Sequence, residues 1–259
     1  MNIEFENEGH CYRSDLSLGV SLARPIQFLE SQSNPWNVPV PTKNPVTTDD
    51  FTGSTSAGGA CNVDQLSLVP HCHGTHTETI GHIVNDDHFV SDLSIPTVIP
   101  AVVVSVFPVA ADSLSDTYLP AFGKSDQVIT AEHLQREIKK WAGFAAQALV
   151  VRTDSVDAFF TNEAMAAIVD AGVEHLLVDL PSVDRLNDDG LLSNHRIFWD
   201  VEDGCCETHE KSRTSHTITE LIRVPDQVAD GQCLLSIQAP AIESDAAPSR
   251  PIAYPITQI

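Results

Sequence analysis

"TNEAMAAIVDAGVEHLLVDLPSVD", residues 161–184, changes its periodicity half-way along. Thr161 is a residue type that caps a helix N-terminus with its hydroxyl, and Gly172 supplies a common helix stop. Between them the apolar residues recur at helical spacing. After the glycine, His175–Leu180 is a short apolar run of the length and composition of a buried strand. A capped helix feeding a buried strand within 24 residues (161–184) is the building unit of an α/β fold.

The flanking sequence repeats that alternation. "TAEHLQREIKKWAGF" (130–144) opens on a capping threonine, Thr130, and continues with helical spacing. Ala148–Thr153 is a second buried strand, and the β-branched run "IPTVIPAVVVSVFPV" (95–109) a third, buried on both faces. "HTITELIRVP" (216–225) and "QCLLSIQAPAI" (232–242) are two more strands, and "YRSDLSLGVSL" (12–22) an early one. The polar, proline-bearing stretch from Glu30 to Leu68 lacks periodicity and is expected to be mostly loop, with Trp36 as its one tryptophan. No linker or internal repeat divides the chain, so residues 1–259 form a single α/β domain.

Composition narrows the function classes. Fourteen basic against 36 acidic residues leave a formal charge of −22, which repels nucleic acid and anionic lipid. No apolar run approaches the roughly 20 residues of a membrane span. The acidic, polar start resembles neither a secretory signal nor a transit peptide, and a cytoplasmic location is expected. Six cysteines with no CxxC pair are expected as free thiols. A small-molecule substrate is the expected partner, and a homodimer or homotetramer the expected assembly.

"HCHGTHTETIGH", His71 to His82, concentrates four of the eleven histidines in twelve residues, together with Cys72 and Glu78. Thiolate, imidazole and carboxylate are the ligand types of zinc-like ions. His76 and Glu78 are two apart, so an extended segment turns both to one side. Gly74 allows close approach or a sharp bend, and Thr75 can steady a ligand by hydrogen bond. The alternative is a solvated loop with scattered imidazoles.

"CHGTHTETIGH" resembles the H-x-G-T-H-x-D-x-P-x-H signature of the cyclase-like metal-dependent hydrolases, a family that includes bacterial kynurenine formamidases and isatin hydrolases. Gly74, Thr75, His76 and His82 match. Cys72 stands at the first histidine, Glu78 at the aspartate and Ile80 at the proline. Further segments are similar in family order: "SDLSLGVSL", "ALVVRTD", "VDLPSVDRLNDDGLLSNHR" with His195, and "PSRPIAYP". The resemblance implies a β/β/α swivelling-type sandwich with a mixed sheet. It implies one or two divalent ions, zinc or manganese. Cys72 and His76 would hold the first, His195 the second, and Glu78 and Glu220 both. His71 could replace Cys72 only by shifting the register. Glu220 is preferred to Glu207 as the last ligand because a strand lies beneath it, and the polar segment near 200–215 then reads as an inserted loop.

By the same resemblance the reaction is hydrolysis of an amide C–N bond by metal-activated water, in an aryl formamide such as N-formylkynurenine or in a cyclic amide. His82 would pass the proton to the leaving nitrogen, its alternative being a hydrogen-bonded core histidine. Trp36 would lie against the substrate ring or else pack in the core. Asp179 and Ser182 are expected to support the loop before His195. Competing readings are a relative acting on a lactone or ester, a metal-binding relative without catalysis, and a redox-sensing thiol protein built on Cys72 or Cys205–Cys206.

Overall fold

A computed structural model describes residues 1–28, 34–112 and 114–259. Its framework is an 11-stranded mixed sheet. In chain order the strands are β1 (Asn2–Asn7), β2 (His10–Asp15), β3 (Val20–Ser21), β4 (His76–Glu78), β5 (Ile99–Ser105) and β6 (Ala148–Arg152). They continue with β7 (His175–Val178), β8 (Thr217–Glu220), β9 (Gly231–Ser236), β10 (Ala246–Pro248) and β11 (Ile252–Gln258). Across the sheet the order is β1-β2-β11-β9-β5-β6-β7-β8-β4-β10, with β3 paired to β11.

The centre, β5-β6-β7-β8, is parallel, and the strands on either side of it run antiparallel. This is a single α/β domain with a large mixed sheet, as expected from the alternation of helices and strands. Parallel strands covered on both faces read as continuous apolar runs, which is why β5, β6 and β7 are legible in sequence. Their side chains still alternate. Val102, Val104, Leu149, Val151, Leu176 and Val178 pack on one face against the helices, whereas Ala101, Val103, Ala148, Val150 and Leu177 face the other. That second face is closed by Leu22, Ile222, Val224 and Ile237.

The helices are a single turn, α1 (Pro70–His73), then α2 (Ala131–Lys139), α3 (Asn162–Asp170) and α4 (Ser193–Trp199). Thr130 caps α2 by accepting from the His133 N–H, and Thr161 caps α3 by accepting from the Ala164 N–H. Both capping threonines therefore do what their position in sequence implies. α4 carries no such signature: Leu192 precedes it in the left-handed region, and its first N–H groups are held by a distant carboxylate instead.

The stretch expected as loop holds two small hairpins. Thr42–Pro45 pairs with Asp64–Ser67, and Thr47–Thr48 with Phe51–Thr52. Their residues are largely exposed, so no buried face imposes the alternation that would mark them in sequence. The beginning of that stretch, residues 30–33, lies outside the described residues. From Val201 to His216 the chain has no helix or strand; it is tied down by Arg196 to the Glu202 and Cys205 carbonyls and by Arg213 to the Phe198 carbonyl. No helix among the described residues is long and apolar enough to cross a membrane. All six cysteines are free.

His175 opens β7 as a buried imidazole, its Nδ1 2.9 Å from Thr217 Oγ1 on β8. Burial, reinforced by the nearby His216, pushes it from 6.5 down to about 4. A histidine depressed on folding stabilises fully above its unfolded value and loses that contribution as pH falls through the folded one. Folding free energy should therefore drop by up to about 3 kcal/mol between pH 6.5 and pH 4 on account of this residue. Urea unfolding across that window should show a shallower slope in His175→Gln; an unchanged slope would contradict the assignment.

Candidate metal centre

The site forms where the carboxyl ends of β7 and β8 meet the start of β4, the usual place for a ligand crevice in an α/β sheet. Cross-strand pairing sets its centre. β4 runs antiparallel to β8 with His76 opposite Glu220, and Glu78 lies two residues further along β4. Period two puts His76 and Glu78 on one face, and the pairing brings Glu220 to the same place. His76 and Glu78 are both fully buried, and Glu220 nearly so.

Backbone contacts fix the orientation of each group. His76 Nδ1 lies 3.0 Å from the Gly74 carbonyl, to which it donates, leaving Nε2 bare and 3.6 Å from Glu220 Oε2. Glu220 Oε1 accepts from the Val183 N–H at 2.8 Å. His195, on the first turn of α4, presents Nδ1 to Asp184 Oδ2 at 2.6 Å and Nε2 to Glu78 Oε1 at 3.0 Å. Asp184 also accepts from the Asn194 and His195 N–H groups, so one carboxylate caps the helix and orients its histidine. The Tyr118 hydroxyl donates to its other oxygen.

On the far side of β4, β10 pairs with it so that Ala246 lies opposite Glu78. Asp245, just before that strand, presents Oδ2 2.8 Å from His71 Nε2 and 3.4 Å from His82 Nδ1. His71 Nδ1 stands 3.0 Å from Glu78 Oε2, an ion-pair contact outside hydrogen-bond alignment. His82 ends a tight turn, Ile80–His82, in which the Thr79 hydroxyl oxygen accepts from the Gly81 N–H. Gly81 is required there, because a Cβ would stand 2.5 Å from the His88 carbonyl oxygen.

The electrostatics follow from burying acids. Burial alone would raise Glu78, but the His82 and His195 charges outweigh it and hold the carboxyl well below its usual range. Burial opposes protonation of His195, yet Glu78 and Asp184 drive it well above 6.5. The same contest, won by Asp245 and Glu78, pushes His71 up to about 10. Hydrogen bonds from His71 and then His82 hold Asp245 low. Glu78 and Asp245 are thus both held low by their histidine neighbours.

The donor set fits a divalent metal. Buried His76 Nε2 and Glu78 Oε2 make no hydrogen bond in the structure. Ligand atoms of His71, His76 and Glu78 lie within 4.8 Å of one another, as do those of Glu78, His82 and His195, and of His71, His82 and Asp245. Imidazole nitrogens and carboxylates are ligands for zinc and for manganese alike.

The structure thus gathers His76, Glu78, His82, His195 and Glu220 in one place. Cys72 is buried and lines the same cavity, but it belongs to none of the three compact groups, whereas His71 belongs to two. Burial, and then the Glu220 charge, raise the Cys72 thiol. Half-buried Trp36 also lines this cavity of about 340 Å³, with Val38, Leu186 and Leu192. Glu207 is exposed on the 201–216 loop. Asp179 is buried but serves another loop, accepting from the Thr153 and Asp154 N–H groups, while the Ser182 hydroxyl accepts from the Asp184 N–H. Sequence reasoning missed Asp184 and Asp245: each acts through a histidine, and neither stands at a ligand spacing.

The family model "Cyclase", described as "Putative cyclase", matches residues 15–185. The kynurenine formamidase of Bacillus cereus is 24% identical over 214 residues, covering 78% of this chain and 85% of that protein. An isatin hydrolase solved with the product analogue thioisatinate superimposes with a TM-score of 0.61 at 16% identity, covering 92% of each chain. A "predicted metal-dependent hydrolase" from Bacillus stearothermophilus gives 0.58 at 17% identity, covering 91% of this chain and 97% of that one.

Removing one partner from a buried ion pair costs about 3–5 kcal/mol, because the other charge stays buried. Asp184→Ala should lower stability by that order in urea unfolding, against less than about 0.5 kcal/mol for exposed Glu207→Ala. Equal effects would show that Asp184 does not hold α4 and His195.

Proposed function

The chain belongs to the cyclase family, and on that premise we propose that it is a metal-dependent hydrolase opening the amide C–N bond of an aryl formamide or a cyclic amide. The observation that carries this reading is the buried group of His76 Nε2 and Glu78 Oε2, neither of them hydrogen-bonded, beside the Glu220 carboxylate and the imidazoles of His195 and His71. Burying polar groups whose hydrogen-bonding capacity is unfilled costs several kcal/mol, a cost that a bound cation removes. The names of the similar proteins, one a formamidase and one an isatin hydrolase, support the amide class.

His76, Glu78, His195 and Glu220 would hold the metal, with zinc or manganese as the candidates. A divalent ion there supplies Lewis acidity, polarising a carbonyl oxygen and lowering the pKa of water from about 15.7 to about 7. The remaining chemistry belongs to the chain. Gly74, through its carbonyl, and Asp184 fix which nitrogen of His76 and of His195 faces inward. His82 lines the cavity and can carry a proton to the departing nitrogen. Trp36, Val38, Leu186 and Leu192 offer apolar walls for an aromatic ring, in a cavity of about 340 Å³, within the range for small-molecule sites.

Purified protein should hydrolyse one or more members of a panel of N-formyl arylamines and cyclic amides, lose that activity to a chelator, and regain it with zinc or manganese. Hydrolysis that survives complete metal removal would sink the reading. So would metal-loaded protein that leaves amides intact while cleaving lactones or esters.

His82→Ala should keep its metal while turnover on an amide falls by roughly 10²–10⁴-fold, the usual worth of general acid–base catalysis. Activated esters, whose leaving groups need little protonation, should be spared most of that loss. A variant that loses metal together with activity would make His82 a ligand and move the proton transfer elsewhere.

A further inference from the structure

Each of three histidines around Glu78 shows the same two-sided arrangement. His76 gives Nδ1 to the Gly74 carbonyl, and His195 gives Nδ1 to Asp184. His71 gives Nε2 to Asp245. In every case the other nitrogen is turned inward, His71 Nδ1 and His195 Nε2 to Glu78 and His76 Nε2 towards Glu220. A histidine that ligates a metal with one nitrogen and donates the other N–H to a carboxylate or carbonyl is the recurring pattern of metal sites.

His71 fits that pattern, and its neighbour does not. Both sit on the single turn α1, where successive side chains point about 100° apart, so both cannot aim at one point. His71 meets His76 with ring centroids 5.1 Å apart and His82 with centroids 4.3 Å apart. Cys72 faces the cavity outside the compact groups. Asp245 is itself held in place: its carbonyl accepts from the Thr79 N–H at 2.9 Å and from the Thr79 hydroxyl at 3.2 Å.

We propose that His71, not Cys72, completes the metal shell beside His76 and Glu78, with Asp245 as the carboxylate that orients it. The assignment rests on the reading above that a metal is bound. It leaves the Cys72 thiol as a wall of the cavity.

Cobalt(II) tests this without any appeal to activity. Full-length protein stripped with a chelator and loaded with cobalt should show visible ligand-field bands but no thiolate-to-cobalt charge-transfer band in the near ultraviolet. Cys72→Ser should bind the same number of ions with an unchanged visible spectrum. His71→Ala should lose one ion per chain, and Asp245→Asn should bind cobalt about 10- to 100-fold more weakly with its visible bands intact. The wild-type spectrum keeps the test valid even where the His71 variant fails to fold. A charge-transfer band that disappears in Cys72→Ser overturns the assignment alone and leaves the hydrolase reading standing. Protein that takes up no cobalt at all overturns both.

Discussion

Glu78 has no solvent-exposed surface, and its charge must be answered inside the protein. That constraint organises everything around it. Glu220 and Asp184 are buried within the same few ångströms, with half-exposed Asp245 at the margin. The balance is held by protons on His71 and His195, or by a divalent ion in place of those protons. A set of acids this dense needs positive charge beside it, from protonated histidines or from a cation. The sheet serves it directly: the β8–β4 pair brings Glu220 opposite His76, and the β4–β10 pair carries Asp245 to the outer side of His71.

The parallel centre of the sheet was legible because its strands are buried on both faces and so appear as apolar runs. The capped helices α2 and α3 were legible through Thr130 and Thr161. The exposed hairpins between 42 and 67 were not, because exposed strands carry no hydrophobic alternation. β4 is only three residues long, yet His76 and Glu78 could still be read as sharing a face, since period two holds even in a short extended segment.

Ligand types were also more legible than their supporting partners. Histidine and glutamate at close spacing announce themselves, whereas Asp184 and Asp245 lie 11 and 163 residues in sequence from the histidines His195 and His82 that they contact. Only the fold makes those pairs. The choice between His71 and Cys72 shows the same limit. A motif register favours Cys72, but one helical turn decides which of two adjacent side chains faces inward, and a one-residue shift rotates the answer by about 100°. His195 and Glu220 fall beyond the span matched by the family model, residues 15–185, and are brought to the site by α4 and β8.

The central claim is that the carboxylates around Glu78 are balanced by metal rather than by protons alone. Anomalous diffraction from crystals of the protein as purified, recorded on both sides of the zinc and manganese absorption edges, tests it most directly. The account predicts an anomalous peak between His76 Nε2 and the Glu78 carboxylate, with a second beside His195 where two ions are held. Ordinary density there, with the histidines and carboxylates joined only by direct hydrogen bonds and no anomalous signal after growth in metal-replete medium, would contradict it.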